Sequence, residues 1–139
     1  MGSDYKLNQT TRKPYKISKY LLNMENKYKF NYDDFSDRLF ISCKNEDEII
    51  DGSLRVLNLV LDFTIGGRIA NIELIDASDY LKSLDINPLI LNKLSGAEFN
   101  TKNLRNGYEV VFVLKSDKKT IHVPYNIYLP HKKQIIVTS

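Results

Sequence analysis

The run Leu54-Arg55-Val56-Leu57-Asn58-Leu59-Val60-Leu61-Asp62-Phe63, then Thr64-Ile65-Gly66-Gly67, then Arg68-Ile69-Ala70-Asn71-Ile72-Glu73-Leu74-Ile75, decides the fold class. Leu57, Leu59, Leu61 and Phe63 recur at every second position, the period that places side chains on one face of a strand. The pattern predicts one long strand from Leu54 to Phe63. Gly66-Gly67 predicts a turn, because glycine takes positive φ without steric cost. Ala70, Ile72 and Leu74 then alternate along a returning strand. Val56, Val60, Ile69 and Ile75 add apolar groups to the opposite face, which predicts a sheet covered on both sides by helices or another subunit.

The same period extends toward the amino end. Tyr28, Phe30 and Tyr32 alternate with Lys27, Lys29 and Asn31, and Leu39, Ile41 and Cys43 alternate with Arg38, Phe40, Ser42 and Lys44. Asp33-Asp34-Phe35-Ser36-Asp37 between them is short and rich in residues that bond their own backbone, so a hairpin is expected. Glu46-Asp47-Glu48 and Asp51-Gly52-Ser53 read as a loop.

Toward the carboxyl end, Asp76-Ala77-Ser78-Asp79 reads as a helix start, with Asp76 or Ser78 available as cap. Asn87-Pro88 opens a second short helix, a cap residue followed by proline at the first helical position. The two helices are expected near Asp79–Leu84 and Pro88–Leu94. Tyr108 to Leu114 reads as a strand preceded by the hairpin signal Asn106-Gly107, and Thr120 to Val123 as its neighbour. Pro124 and Pro130 confine what lies between them to an edge strand or an extended loop, and Gln134 to Thr138 can add a terminal strand. The expected class is α+β, mostly antiparallel twisted β-sheet of about six to eight strands with two short helices in the middle of the chain.

The chain has 139 residues, 42% of them hydrophobic, and one cysteine. Residues 1–23 read as a basic arm with a possible short helix, and 24–139 as a single β-rich domain. No stretch approaches the ~18 apolar residues of a membrane-spanning helix. The Met1 end lacks the apolar core of a secretory signal. A lone Cys43 excludes an internal disulfide framework, and cytoplasm is the default compartment.

Charge is unevenly spread. Met1 to Lys29 holds seven basic and two acidic residues, Phe30 to Asp85 five and twelve, and Ile86 to Ser139 eight and three. An acidic centre between basic ends is unlike a dedicated nucleic-acid binder, which shows one strongly basic face. It suits a homo-oligomer or a protein partner, with the basic end of one molecule on the acidic part of another. Arg12, Lys13, Tyr15, Lys16, Lys19 and Tyr20 interleave cations with aromatics. Arg12, Tyr15, Lys16, Lys19 and Tyr20 are the expected partner contacts; the same arm, able to meet phosphates and stack on bases, supports nucleic-acid binding as the alternative.

Tyr32-Asp33, Asp37-Arg38-Leu39, Asp62, Gly67-Arg68-Ile69 and Ile72-Glu73-Leu74-Ile75-Asp76-Ala77-Ser78 together resemble a family of small bacterial and archaeal proteins filed as domain of unknown function 2283. The resemblance covers about residues 27–84; the β part at 97–139 lies outside it. Thr64 and Gly66 stand where that family often has acids. Asn71 stands where it has glycine, a place asparagine can fill if the backbone is left-handed. Some members are similar to presumed antitoxins of two-gene modules, so the resemblance implies a noncatalytic partner-binding or regulatory module. Its signature positions here are Tyr32, Asp33, Asp37, Leu39, Gly67, Glu73, Asp76 and Ser78, with mainly structural roles.

Against that stands a metal-dependent hydrolase, since paired carboxylates bind hard cations or move protons. Asp33, Asp34 and Asp37 are the densest acids, and Asp62, Glu73 and Asp76 can lie nearby. The spacing lacks the glycine and distal glutamate of a calcium loop, and turn formation explains the same residues. His122, His131 and Cys43 have no metal-site spacing. Cys43 falls on the inward face as a small hydrophobe. The expectation is a noncatalytic protein-binding module that self-associates, with no catalytic residue, metal or cofactor and no membrane partner.

Overall fold

The structure, a computed structural model, describes residues 28–128. Eight strands and two short helices follow in the order β1 (Lys29–Asp33), β2 (Arg38–Ser42), β3 (Ile50–Val56), β4 (Leu59–Thr64), β5 (Ile69–Ile75), α1 (Ala77–Ser83), a 3-10 helix (Pro88–Lys93), β6 (Gly96–Leu104), β7 (Gly107–Lys115) and β8 (Thr120–Tyr128). The strands form two antiparallel sheets rather than one, ordered β1-β2-β5-β4-β3 and β6-β7-β8. The β-rich α+β class is as expected. The basic arm, the helix read near Ser18 and the strand read at Gln134 to Thr138 lie outside the described residues.

Alternation explains the pairing. Leu39 and Ile41 of β2, Leu59, Leu61 and Phe63 of β4, and Ile72 and Leu74 of β5 are all buried and face one way. Cys43 continues the β2 face and is buried too. On the opposite face Val60 and Ile75 are only partly buried. The second sheet supplies Ala97, Phe99, Val110, Phe112, Leu114, Val123, Tyr125 and Ile127 to the same continuous core, with Ala77, Leu81, Ile90 and Leu91 from the helices.

Polar side chains tie the layers together. Tyr28 donates its hydroxyl to the Phe99 carbonyl at 3.0 Å, and the two rings meet edge to face at 5.6 Å. Asn58 donates to the Ile75 carbonyl at 2.7 Å and accepts from the Tyr125 hydroxyl. Tyr80 donates to the carbonyl of Pro124, beside Tyr125 at a ring separation of 4.8 Å. Each of these hydroxyls has an apolar ring to bury and a polar tip to satisfy, which suits tyrosine at a seam between layers.

Several expectations need correction. Leu54 to Phe63 is not one strand. Val56 pairs with Leu59 across a two-residue turn made of Leu57 and Asn58, with Leu57 at φ 55° and largely exposed. A two-residue turn leaves the residues on either side facing the same way, so Val56, expected on the opposite face, joins Leu54 and Leu59 on the core side, and the alternation changes phase at the turn. Asp51-Gly52-Ser53 is strand, not loop; the register shifts between Ile50 and Gly52, and Ser53 donates to Asp62 at 2.6 Å across the pair. Such a bulge admits one extra residue without ending the ladder. Asn71 does not take the left-handed backbone; the positive-φ residues described are Asp37, Leu57, Asp76, Asp85 and Gly67, and the Asn71 amide instead donates to Asp62 at 3.0 Å.

Other expectations match. Gly67 sits at φ 85° in the β4–β5 turn, and Asn87 accepts the Leu89 N–H at 3.0 Å ahead of Pro88. Pro124 lies on β8, an edge strand. Arg105 and Asn106 form the β6–β7 turn, where Leu104 pairs with Gly107. A Cβ on Gly107 would lie 1.8 Å from the Ile127 carbonyl oxygen, so only glycine allows β8 to approach there.

Candidate functional site

The acidic residues sort themselves by what they bond. Asp33 shapes the β1–β2 turn, accepting the Phe35 N–H at 3.0 Å and the Ser36 hydroxyl at 2.9 Å. Both bonds favour the ionised carboxylate and lower its pKa. Glu73 faces Arg38 on the neighbouring strand at 3.6 Å, and Asp62 is engaged by Ser53 and Asn71. The sequence-predicted group therefore does not converge on one point.

Asp37 is different. Its Oδ1 accepts the Tyr32 hydroxyl at 2.6 Å and the Ser78 N–H at 2.9 Å; its Oδ2 accepts the Ser78 hydroxyl at 2.7 Å. Its own carbonyl accepts the Ala77 N–H at 3.0 Å. The side chain that caps α1 thus comes from the β1–β2 hairpin; of the two expected caps, Asp76 is left-handed at φ 55° and makes no side-chain cap bond, and Ser78 lies inside the helix. Burial pushes the Asp37 carboxyl up, but the hydrogen bonds from Tyr32 and Ser78 and the charge of Lys82 outweigh it and hold its pKa below the ordinary value. Burial and the adjacent Asp37 carboxylate raise the Tyr32 phenol in turn.

Asp37, Asp76 and Asp79 have carboxylate oxygens within 4.8 Å of one another, the group among the described residues that is tight enough to hold a cation. Asp79 was not among the acids singled out from the sequence; its place in the first turn of α1 is the only signal that could have found it. Asp76 and Asp79 are exposed. Asp37, the partly buried member, already accepts three hydrogen bonds from its side chain alone, so the group reads as a helix-to-hairpin clamp. Of the other signature positions, Leu39 is in the core and Gly67 in its turn. Arg12, Tyr15, Lys16, Lys19 and Tyr20 lie outside the described residues, as does His131.

Arg68 makes the second polar cluster. It donates through Nη1 to Cys43 Sγ at 3.1 Å, through Nη2 to the Cys43 carbonyl at 3.0 Å, and to both carboxylate oxygens of Glu48, through Nε at 3.1 Å and also through Nη2. The Glu48 contact is the largest cause of a raised Arg68 pKa, and Glu48 is lowered in return. This fork keeps the β4–β5 turn against the acidic loop ahead of β3. Sequence reading missed the pair, because 20 residues separate its members.

Beside Arg68 a cleft of about 520 Å³ opens between the sheets, walled by Val56, Leu61, Phe63 and Ile69 on one side and Tyr108 and Ile127 on the other. Its lining is mainly apolar, and Ile65 stands exposed at its mouth next to exposed Ile49, whose carbonyl accepts the Ile65 N–H at 3.3 Å. Comparison of the chain with protein-family models, curated proteins and solved structures finds no significant match. No helix among the described residues is long and apolar enough to cross a membrane.

Proposed function

We propose that this chain is a noncatalytic protein-binding module of regulatory type. The observation that carries this reading is the state of Asp37: the one partly buried carboxylate of the acid cluster has both oxygens committed to Tyr32 and Ser78. A group held that way, with most of its acceptor capacity taken inside the fold, fixes a hairpin to a helix; a general base or cation ligand needs its lone pairs aimed at its target. The binding side of the reading is supported by the apolar cleft and by exposed Ile49 and Ile65, which adjoin each other beside it. Exposed apolar surface that is contiguous marks interaction sites more often than it marks bare solvent-facing protein.

The test has two arms. Melting the chain with and without magnesium, manganese or calcium should give the same midpoint in every case. A cation-dependent rise that Asp37→Asn abolishes would return the acid cluster to chemistry. In the second arm a purified protein captured by the intact chain should be lost on Ile49→Asp with Ile65→Asp. Failure to capture any protein, together with a monomeric chain, would end the binding reading.

A further inference from the structure

The β1–β2 turn presents an aromatic anchor. Phe35 is 97% exposed, the highest value among the large apolar side chains described. The backbone that carries it is nonetheless held in place, because Asp33 accepts both the Phe35 N–H and the next hydroxyl. Exposed Asp34 precedes it. A ring carried on a fixed turn, with two side-chain torsions left to order, loses little freedom when it inserts into a partner, and such aromatic anchors dominate interfaces.

The complement lies beside the 3-10 helix. A concavity of about 600 Å³ is lined by Leu89, Ile90 and Lys93 of that helix and by Lys118 and Lys119 of the β7–β8 turn. Leu89 is 58% exposed and offers an apolar floor. Three ammonium groups face one carboxylate, Asp117, and none of the three forms an ion pair among the described residues. Anchor and receptor flank the same helix: Tyr32 and Asp34 of the anchor hairpin share a third, shallower concavity with Leu91 and Asn92.

We propose that two copies of this chain exchange these elements, Phe35 of each entering the Leu89–Ile90 concavity of the other with Asp34 opposite Lys118 and Lys119. Both elements lie against one helix, and a two-fold axis beside it would make the exchange reciprocal, the isologous contact that closes as a dimer rather than growing into a filament. The inference rests on the reading of the chain as a binding module and names a second copy as one partner.

Analytical ultracentrifugation of the full chain tests it. The wild type should be a dimer whose dissociation constant Phe35→Ala raises by ~10-fold or more, the effect of losing an interface anchor. Asp34→Lys, and Lys118→Glu with Lys119→Glu, should each weaken the dimer. All three substitutions in one chain should restore it to within ~3-fold of wild type, since the charges are exchanged across the interface. That rescue also shows that the variants fold. A dimer indifferent to Phe35→Ala and to both charge reversals overturns this interface and leaves self-association standing. A chain monomeric to ~100 µM that still retains a foreign protein overturns the proposal while leaving the binding module intact.

Discussion

The two sheets meet in one core yet are built by different rules. Residues 28–85 carry six basic and twelve acidic side chains, and residues 86–128 six basic and three acidic. The five-stranded sheet has strands of five to seven residues, two register shifts and left-handed residues at Asp37, Leu57 and Gly67 in its turns. The three-stranded sheet has three nine-residue strands in unbroken register and no positive-φ residue. In the first, side chains bond across turns and bulges; in the second a regular ladder dominates, with a Lys115–Glu98 pair across β6 and β7 at 2.8 Å. Irregularity and acidity fall together at the β1–β2 turn, held by Asp33 and Asp37, and beside the two register shifts, where Asp62 is engaged by Ser53 and Asn71.

The sharpest way to break this comparison is to ask whether the sheets unfold as one. Phe112→Ala, deep on β7 and 1% exposed, should destabilise by about 3–5 kcal/mol, the usual effect of removing a buried aromatic ring. Urea unfolding followed by far-ultraviolet dichroism and by tyrosine fluorescence should give coincident transitions, both shifted. Two separate transitions would mean that the sheets are independent units.

Next in size is Asp37→Ala, which removes the cap of α1 and leaves the Tyr32 hydroxyl without its acceptor. A loss of about 2–3 kcal/mol is expected, with Asp37→Asn losing less because asparagine tolerates the positive φ and keeps one acceptor. The same residue sets an acid limit. Its folded pKa is depressed, so its stabilisation is present above the unfolded value of ~3.9 and fades as pH falls through the folded one. Thermal midpoints measured from pH 6 downward should fall below about pH 4 in the wild type and less steeply in Asp37→Asn.

Leu57→Gly tests the opposite sign. Leucine is strained at φ 55° and is mostly exposed there, so glycine should stabilise the β3–β4 turn by up to ~1 kcal/mol, a gain readable as a raised urea midpoint. Smallest is Glu48→Gln. Its pair with Arg68 is partly open to solvent, so its loss should lower stability only slightly, with that difference shrinking further in high salt.

What could be read in advance follows the same division. Leu39, Ile41 and Cys43, or Ala70, Ile72 and Leu74, declare their strands because one buried face imposes a period of two. Asn87-Pro88 and Gly67 are legible because their effect is local. The Leu57-Asn58 turn was hidden by a leucine that continues the alternation and by the lack of glycine. Asp37 as the cap of α1 was hidden because the bond to Ser78 spans 41 residues, and no local signature encodes a partner that only the sheet brings close. The placement of Asp79 beside it was hidden for the same reason.

Arg68 lies over the chain's single thiol. Cys43 is 5% exposed, so a soluble alkylating reagent meets it only when the guanidinium lifts away. Labelling kinetics at this one sulfur then become a clock for how often the β4–β5 turn opens, readable by mass in the unmodified chain, with no introduced probe and no background from other cysteines.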